Sequence, residues 1–318
     1  MIKNKTIAVV IPCYKVEAHI KNVINMIPEY VDYIVAVNDC SPDNTKSILE
    51  EMKESNQRLV VLQHDKNQGV GGAMITGFKE CIEKNADIVI KVDGDGQMDM
   101  GFMPQLIDAV IDGRYDFAKG DRVKNRKMLA KMPAIRRFGN LSLTFLVRIA
   151  SGYWKVSDPT NGYLCITLPT LKKLDLARLS KRFFFESSLI AELYFTGARI
   201  KDVQMPSIYG DEISNLSIWK ALFSFPLKLM RVHLRRLRMQ YYVEDFNISS
   251  VYLATGIPMF LFGLIFGIVN WVHYAKIGIS TPTGTIIISL MTIIMGFQLI
   301  LSFIQNDMSN GNPFEDDK

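Results

Sequence analysis

Four strand-like stretches punctuate the first hundred residues, at 6–12, 30–37, 58–63 and 88–92, with the first and last the clearest apolar runs. Each reads as a buried strand, and each is followed by a stretch that reads as a helix. The helical stretches fall at 16–26, at about 42–54, after the segment 64–73 and at 101–112. Strand and helix thus alternate four times, the pattern of a parallel sheet covered by helices on both faces. Further strands are predicted at 115–119, 163–167 and 199–205, with helices at 133–150 and 183–195 between them.

Beyond residue 213 the pattern changes. Residues 214–242 read as one helix with leucine, phenylalanine and methionine on one side, carrying Lys220, Lys228, Arg231, Arg235, Arg236 and Arg238. With Trp219, Tyr241 and Tyr242 added, that composition fits a helix lying in the interface of an anionic leaflet. Residues 247–272 and 277–306 carry no charged side chain. Each holds about 20 apolar residues, enough to cross roughly 30 Å of hydrocarbon. The chain is therefore expected to comprise an α/β domain (1–212), a juxtamembrane helical segment (213–246), two membrane spans (about 247–272 and 283–305) and a tail (306–318). The arginine cluster ahead of the first span puts the α/β domain and the acidic tail on the cytoplasmic side of an integral membrane protein.

Composition changes this picture little. Hydrophobic residues make up 48% of the 318, and the mean hydropathy is +0.12, with the excess concentrated after residue 246. A net charge of +5 is modest, so no nucleic-acid partner is inferred. Cys13, Cys40, Cys81 and Cys165 form no Cys-x-x-Cys pair and are expected to be buried, reduced thiols. The N-terminus leads straight into a strand, so no signal peptide is expected.

Candidate chemistry collects where the strands end. The run 88–92 stops in Asp93-Gly94-Asp95-Gly96-Gln97, two carboxylates and an amide spaced by glycines. Ligands of open α/β sheets sit beyond such carboxyl ends. Hard oxygen donors there suit a divalent cation that also holds phosphates. Strand 30–37 ends in Asn38-Asp39-Cys40-Ser41-Pro42-Asp43-Asn44-Thr45, a turn that opens a helix. Arg122, Arg136 and Arg137 can grip phosphate through two parallel N–H bonds, where Lys124 and Lys127 would act only as point charges. Asp158-Pro159-Thr160-Asn161-Gly162 is a rigid turn before a strand.

Val10-Ile-Pro12-Cys-Tyr14 with Glu17, then Asn38 to Thr45, Asn67-Gln-Gly69 and Asp93 to Gln97, come in the order and spacing of the family 2 glycosyltransferases, and the resemblance covers roughly residues 5–210. It implies the GT-A nucleotide-diphospho-sugar fold, with a mainly parallel sheet. It also implies that Pro12, Tyr14, Glu17, Asp39, Lys66 and Asp93 serve the nucleotide sugar, and that Asp95 and Gln97 hold Mg²⁺ or Mn²⁺. The chain resembles in particular the polyprenyl-phosphate glycosyltransferases, in which a segment similar to Asp158–Gly162 lies at the reaction centre. By that resemblance Asp158 is the leading active-site carboxylate, with Arg122 and Arg136 on the lipid phosphate and Asn140 as an added donor, while Arg137 stays a candidate by its residue type. Glu186 is a secondary, more structural candidate. The implied partners are a nucleotide diphosphate sugar, a polyprenyl phosphate in the bilayer and further copies of the chain in a homo-oligomer. The departures, Cys13, Lys15, Asn38 and Cys40, bear on nucleotide preference. A processive polysaccharide synthase and an inactive nucleotide-sugar-binding membrane scaffold stand as alternatives. Gln240-Tyr241-Tyr242 does not supply the Gln-x-x-Arg-Trp motif of the first, and the intact carboxylates argue against the second.

Overall fold

The computed structural model describes residues 2–123, 134–206 and 218–310, with the side chains of 134–138, 140, 218–224 and 310 outside the description. The chain divides into two compact units at residues 233 and 234.

The first unit alternates as the apolar runs predict. Its elements are β1 (Ile7–Cys13), α1 (Ile20–Met26), β2 (Tyr33–Asn38), α2 (Thr45–Ser55), β3 (Leu59–Gln63), α3 (Val70–Glu83), β4 (Ile88–Lys91) and α4 (Met103–Ile111). There follow β5 (Phe117–Asp121), α5 (Ala134–Ser151), β6 (Leu164–Thr167), α6 (Leu168–Lys173), α7 (Phe185–Leu193) and β7 (Ile200–Gln204). One seven-stranded sheet has the order β3-β2-β1-β4-β6-β5-β7. Strands β1 to β4 pair in parallel, as do β5 and β7, but β6 runs antiparallel to both β4 and β5. Side-chain period two then splits each buried strand between two cores. Ala8 and Val10 of β1 join Phe78, Val147 and Leu189 on one face, while Ile7, Val9 and Ile11 join Ile20, Leu49 and Leu106 on the other.

Helix α1 starts four residues later than the 16–26 predicted. Lys15 has φ +57°, the Glu17 amide donates to Asp43 Oδ2 at 3.2 Å, and Glu17 Oε2 accepts from the Asn44 amide at 2.8 Å. Local side-chain bonds of this kind compete with the first helical turn. Cys40 departs from the buried thiols expected: it is exposed, at φ +54°, while the other three cysteines are buried.

The long helix predicted at 214–242 is α8 (Ile218–Arg238), followed by a wider turn over Met239–Glu244. Phe225 and Leu229 pack into the first unit, whereas Leu227 and Met230, on the other side of the helix, are exposed. The second unit holds α9 (Ile248–Lys276) and α10 (Thr283–Asn310). Helix α9 opens on Asn247, whose side chain accepts from the Ser249 amide while Ser250 Oγ accepts from the Asn247 amide. Both helices are long and apolar enough to cross a membrane, and only 11% of each apolar window is buried. They meet through small residues: a methyl group at Gly263 would strike Thr292 and Ile293, and Ser289 donates to the Gly263 carbonyl at 2.8 Å.

Candidate active site

The carboxyl ends of β1, β2 and β4 lie side by side, because the register pairs Cys13 with Asn38 and Val10 with Lys91. Beyond them opens a cleft of about 220 Å³, lined by Asp93, Asp95, Gln97, Asp99, Arg122, Thr160, Asn161, Gly162 and Tyr163, among others. A shallower concavity of about 360 Å³ lies by Lys15, Glu17, His19, Pro42 and Asp43. The smaller cleft holds more of the chemistry. The turn after β4 is shaped by its own side chains: Asp95 Oδ1 accepts from the Gln97 amide at 3.0 Å, and Asp99 Oδ1 from the Gly101 amide at 2.8 Å.

Across the cleft, β5 delivers Arg122 and the 158–162 turn delivers Asp158, and the two bind each other. Arg122 Nε donates to Asp158 Oδ2 at 2.7 Å and Nη2 to Oδ1 at 2.9 Å, with the Arg122 amide a third donor at 3.2 Å. The Asp158 side chain is 2% exposed and that of Arg122 36%. Burial pushes the Asp158 carboxyl up, but the guanidinium, with Lys119 behind it, overrides this and holds it below the usual carboxylate range. Asp158 also has φ +45°, a left-handed conformation that needs its surroundings to enforce it. The enforcement comes from a buried network below. Lys119 Nζ donates to the Ser157 carbonyl, and Ser157 Oγ donates to Asp202 Oδ2 at 2.7 Å.

Asp93 stands at the centre of a second buried arrangement. Lys91, 1% exposed, places its ammonium 2.5 Å from Asp93 Oδ1 and 3.3 Å from Glu186 Oε1. Burial opposes the charge on Lys91, yet the two carboxylates hold it above the ordinary lysine range. Burial raises the Glu186 carboxyl, against the pull of Lys91.

Of the other expected residues, Asp39 is 2% exposed and directs its oxygens to the neighbouring 64–69 loop. Its Oδ1 lies 2.7 Å from His64 Nδ1 and accepts from the Gln68 amide at 2.8 Å, and its Oδ2 accepts from the Gly69 amide at 2.7 Å. Pro12 is half-buried at the end of β1, Tyr14 is exposed with Lys15 over its ring, and Lys66 is exposed. The side chains of Arg136, Arg137 and Asn140 lie outside the described residues; their backbone belongs to α5. Sequence reasoning missed Lys91, Lys119, Ser157 and His64. Lys91 and Lys119 had a signal, each being a lysine inside a buried strand. Two buried atoms beside the cleft, Asn161 Nδ2 and Tyr163 Oη, have no hydrogen-bond partner among the described residues. The Asn161 amide is oriented by its own backbone, since Oδ1 accepts from the Tyr163 amide at 3.0 Å.

Among the described residues no three His, Cys, Asp or Glu side chains cluster closely enough to hold a metal by themselves. What the cleft offers a cation is the Asp95 carboxylate and the Gln97 amide oxygen, hard oxygen donors on one turn, while Asp93 beside them is paired with Lys91. That set fits Mg²⁺ or Mn²⁺, which keep coordination positions for water and substrate phosphate.

Residues 8–168 match the family described as glycosyl transferase family 2. The chain belongs to that family. It is 32% identical over 221 residues to UDP-N-acetylglucosamine–dolichyl-phosphate N-acetylglucosaminyltransferase of Methanococcus voltae, covering 65% of this chain and 88% of the relative. It is 26% identical over 200 residues to undecaprenyl-phosphate mannosyltransferase of Micrococcus luteus, covering 58% and 81%. Among solved structures, glucosyl-3-phosphoglycerate synthase of Mycobacterium tuberculosis with Mn²⁺ and UDP superposes with a TM-score of 0.53 at 16% identity, covering 73% of this chain and 80% of that one. That likeness establishes the GT-A fold.

Proposed function

We infer that the chain is an inverting transferase that moves a hexose-type sugar from a uridine diphosphate sugar to a polyprenyl phosphate in a membrane. The observation that carries this reading is the cleft, in which an oxygen-donor turn, Asp93 to Gln97, faces a guanidinium anchored by a buried carboxylate. The anionic turn suits a metal-bound diphosphate and the guanidinium a second phosphate. Relatives named for polyprenyl-phosphate acceptors support the lipid, and the archaeal relative's UDP-sugar supports the donor. The two apolar helices support a membrane anchor.

In this reading a lipid phosphate oxygen attacks the anomeric carbon as that carbon's bond to the diphosphate oxygen breaks. A phosphate monoester is largely dianionic at pH 7, so no side chain has to remove its proton. Asp158 therefore works through Arg122: it is shielded from solvent, stays ionised and fixes the guanidinium at the cleft edge. Arg122 offsets the charge of the incoming phosphate against the nearby carboxylates. By the family resemblance Arg136 and Asn140 are assigned to the same phosphate, with Arg137 a candidate by its residue type, while Pro12, Tyr14, Glu17, Asp39 and Lys66 serve the nucleoside side, Asp39 by holding the 64–69 loop. Asp95 and Gln97 would hold a divalent ion, which when bound would supply positive charge to the leaving diphosphate. The product joins the cell-envelope or glycoconjugate supply of lipid-linked sugars, in a homo-oligomeric assembly on the cytoplasmic face of a plasma membrane. Cysteines introduced at Ser280 and Ser309 test the topology: an impermeant thiol reagent added outside should label the first and spare the second, and the reverse pattern contradicts it.

The function is tested with the purified full chain, a panel of UDP- and GDP-sugars and one polyprenyl phosphate. Formation of a polyprenyl phosphosugar from a UDP-sugar supports the reading. Extension of a free glycan, or sugar release to water alone, overturns it.

A further inference from the structure

A lysine inside a buried strand is costly, because its ammonium must be paired and hydrogen-bonded. Lys91 ends β4 with its side chain 1% exposed. It lies two residues before Asp93, so both side chains leave the chain on the same face. Its ammonium meets one oxygen of Asp93, and from behind it meets Glu186 in the first turn of α7. Ser187, next to Glu186, donates to the Pro159 carbonyl at 3.4 Å, tying the same turn of helix to the 158–162 segment. Gly162 closes the arrangement from that segment. A methyl group there would strike Lys91 Nζ and stand 2.7 Å from Asp93 Oδ2. Asp93 is thus gripped at one oxygen and overlaid at the other by a residue without a side chain.

We propose that Lys91, braced by Glu186 and given room by Gly162, is a positioning residue that holds the Asp93 carboxylate at the angle sugar transfer requires. The inference rests on the donor-site reading above. Neither Lys91 nor Glu186 lines the cleft, so both act through Asp93. The ammonium occupies Asp93 Oδ1 and leaves Oδ2 as the oxygen beside the cleft wall. Without it the carboxylate gains rotameric freedom at the point where the sugar must be held, and errors of about 1 Å in such placement cost about a hundredfold in rate. A lysine that served only to fill the core would show no such selectivity. Its loss would weaken folding, and every ligand would suffer together.

The test uses the full-length enzyme with Mn²⁺ and UDP as binding probes, read by electron paramagnetic resonance of the Mn²⁺, beside steady-state transfer and thermal unfolding. Lys91→Met removes the ammonium and keeps most of the volume. It should bind Mn²⁺ with UDP within about threefold of wild type and lose about a hundredfold in kcat, with the donor KM little changed. Lys91→Arg should recover part of the lost kcat. Glu186→Gln, which keeps a hydrogen-bond acceptor, should lose about fivefold. Wild-type kcat in Lys91→Met overturns the proposal, as does an equal loss of Mn²⁺–UDP binding and kcat in a variant that unfolds early. If Lys91→Met does not fold, wild-type kcat in both Lys91→Arg and Glu186→Gln overturns it. A wild-type enzyme that neither binds Mn²⁺ with UDP nor transfers sugar defeats the donor-site reading itself, and the proposal with it.

Discussion

The two units of this chain sort the same kinds of side chain in opposite directions. In the α/β unit the large apolar residues are inside: Ile7, Ile11, Phe78 and Phe117 are at most 1% exposed. In the hairpin unit Leu261, Phe262, Ile265 and Met291 face outward, while Gly256 and Gly263 are buried between the helices. Charges follow a different rule, since both units bury them only in company. Lys91, Lys119 and Asp158 are paired beneath the cleft. In the hairpin unit, Arg236 makes two N–H bonds to Asp307 at 2.8 and 2.9 Å, joined by Tyr241 Oη and Gln240 Oε1. The reversal of the apolar pattern is what the proposed membrane anchor requires of helices in hydrocarbon. The constancy of the charge rule reflects a desolvation cost common to both interiors.

The comparison can be broken at its charges first. Arg236→Ala leaves Asp307 buried without its cation, which should destabilise the hairpin unit by about 3–5 kcal/mol. Amide hydrogen exchange should then quicken in α9 and α10 while the α/β sheet keeps its protection. Equal protection in both variants would show that the pair is not structural.

A second experiment makes one chemical change in both solvents. Leu261, 47% exposed near the middle of α9, and Met26, 56% exposed at the end of α1, are each replaced by lysine. Leu261→Lys should cost about 2.5–3.5 kcal/mol of insertion, seen as lost membrane-integrated protein. Met26→Lys should stay within about 0.5 kcal/mol of wild type. Equal tolerance of the two lysines would remove the argument that hydrocarbon surrounds the hairpin.

The smallest expected effect concerns acid. The folded-state pKa of Asp158 is depressed below its unfolded value near 3.9, so its stabilisation is present above that pH and is lost as pH falls through the folded value. Asp158→Asn should cost about 1–2 kcal/mol at pH 7, less than a fully buried pair because Arg122 remains partly in water. Denaturation of the two proteins should converge as pH drops below about 4. A gap that persists unchanged at low pH would mean that the ionised carboxylate is not what stabilises the turn.

Much of this fold was legible in the sequence because buried strands announce themselves: valine and isoleucine runs at 6–12 and 88–92 leave few other readings. The direction of β6 was not legible, since an apolar run of four residues is the same in a parallel or an antiparallel pairing. The late start of α1 was hidden in bonds between Glu17 and residues 43 and 44, which lie far along the chain. The turn Asp93 to Gln97, Arg122 and Asp158 were all visible in the sequence as candidates. Their partnership was not, because 36 residues separate them and only the fold brings a guanidinium onto that carboxylate. Arginine also reads as a phosphate ligand whether or not a carboxylate stands behind it. Lys91 was passed over because it was absorbed into the apolar run 88–92, where only the fold shows the two carboxylates that meet it.

The central claim is that the cleft beyond β4 transfers sugar to a lipid phosphate with help from a divalent ion at Asp95 and Gln97. The most direct test follows a labelled UDP-sugar into the lipid phase, using wild-type protein and Asp95→Ala, each with Mn²⁺ and with excess EDTA. Wild type should form polyprenyl phosphosugar with Mn²⁺ and lose it in EDTA. Asp95→Ala should remain folded, with transfer lowered about a thousandfold or more in either condition. Transfer by Asp95→Ala in EDTA at near the wild-type rate would contradict the account.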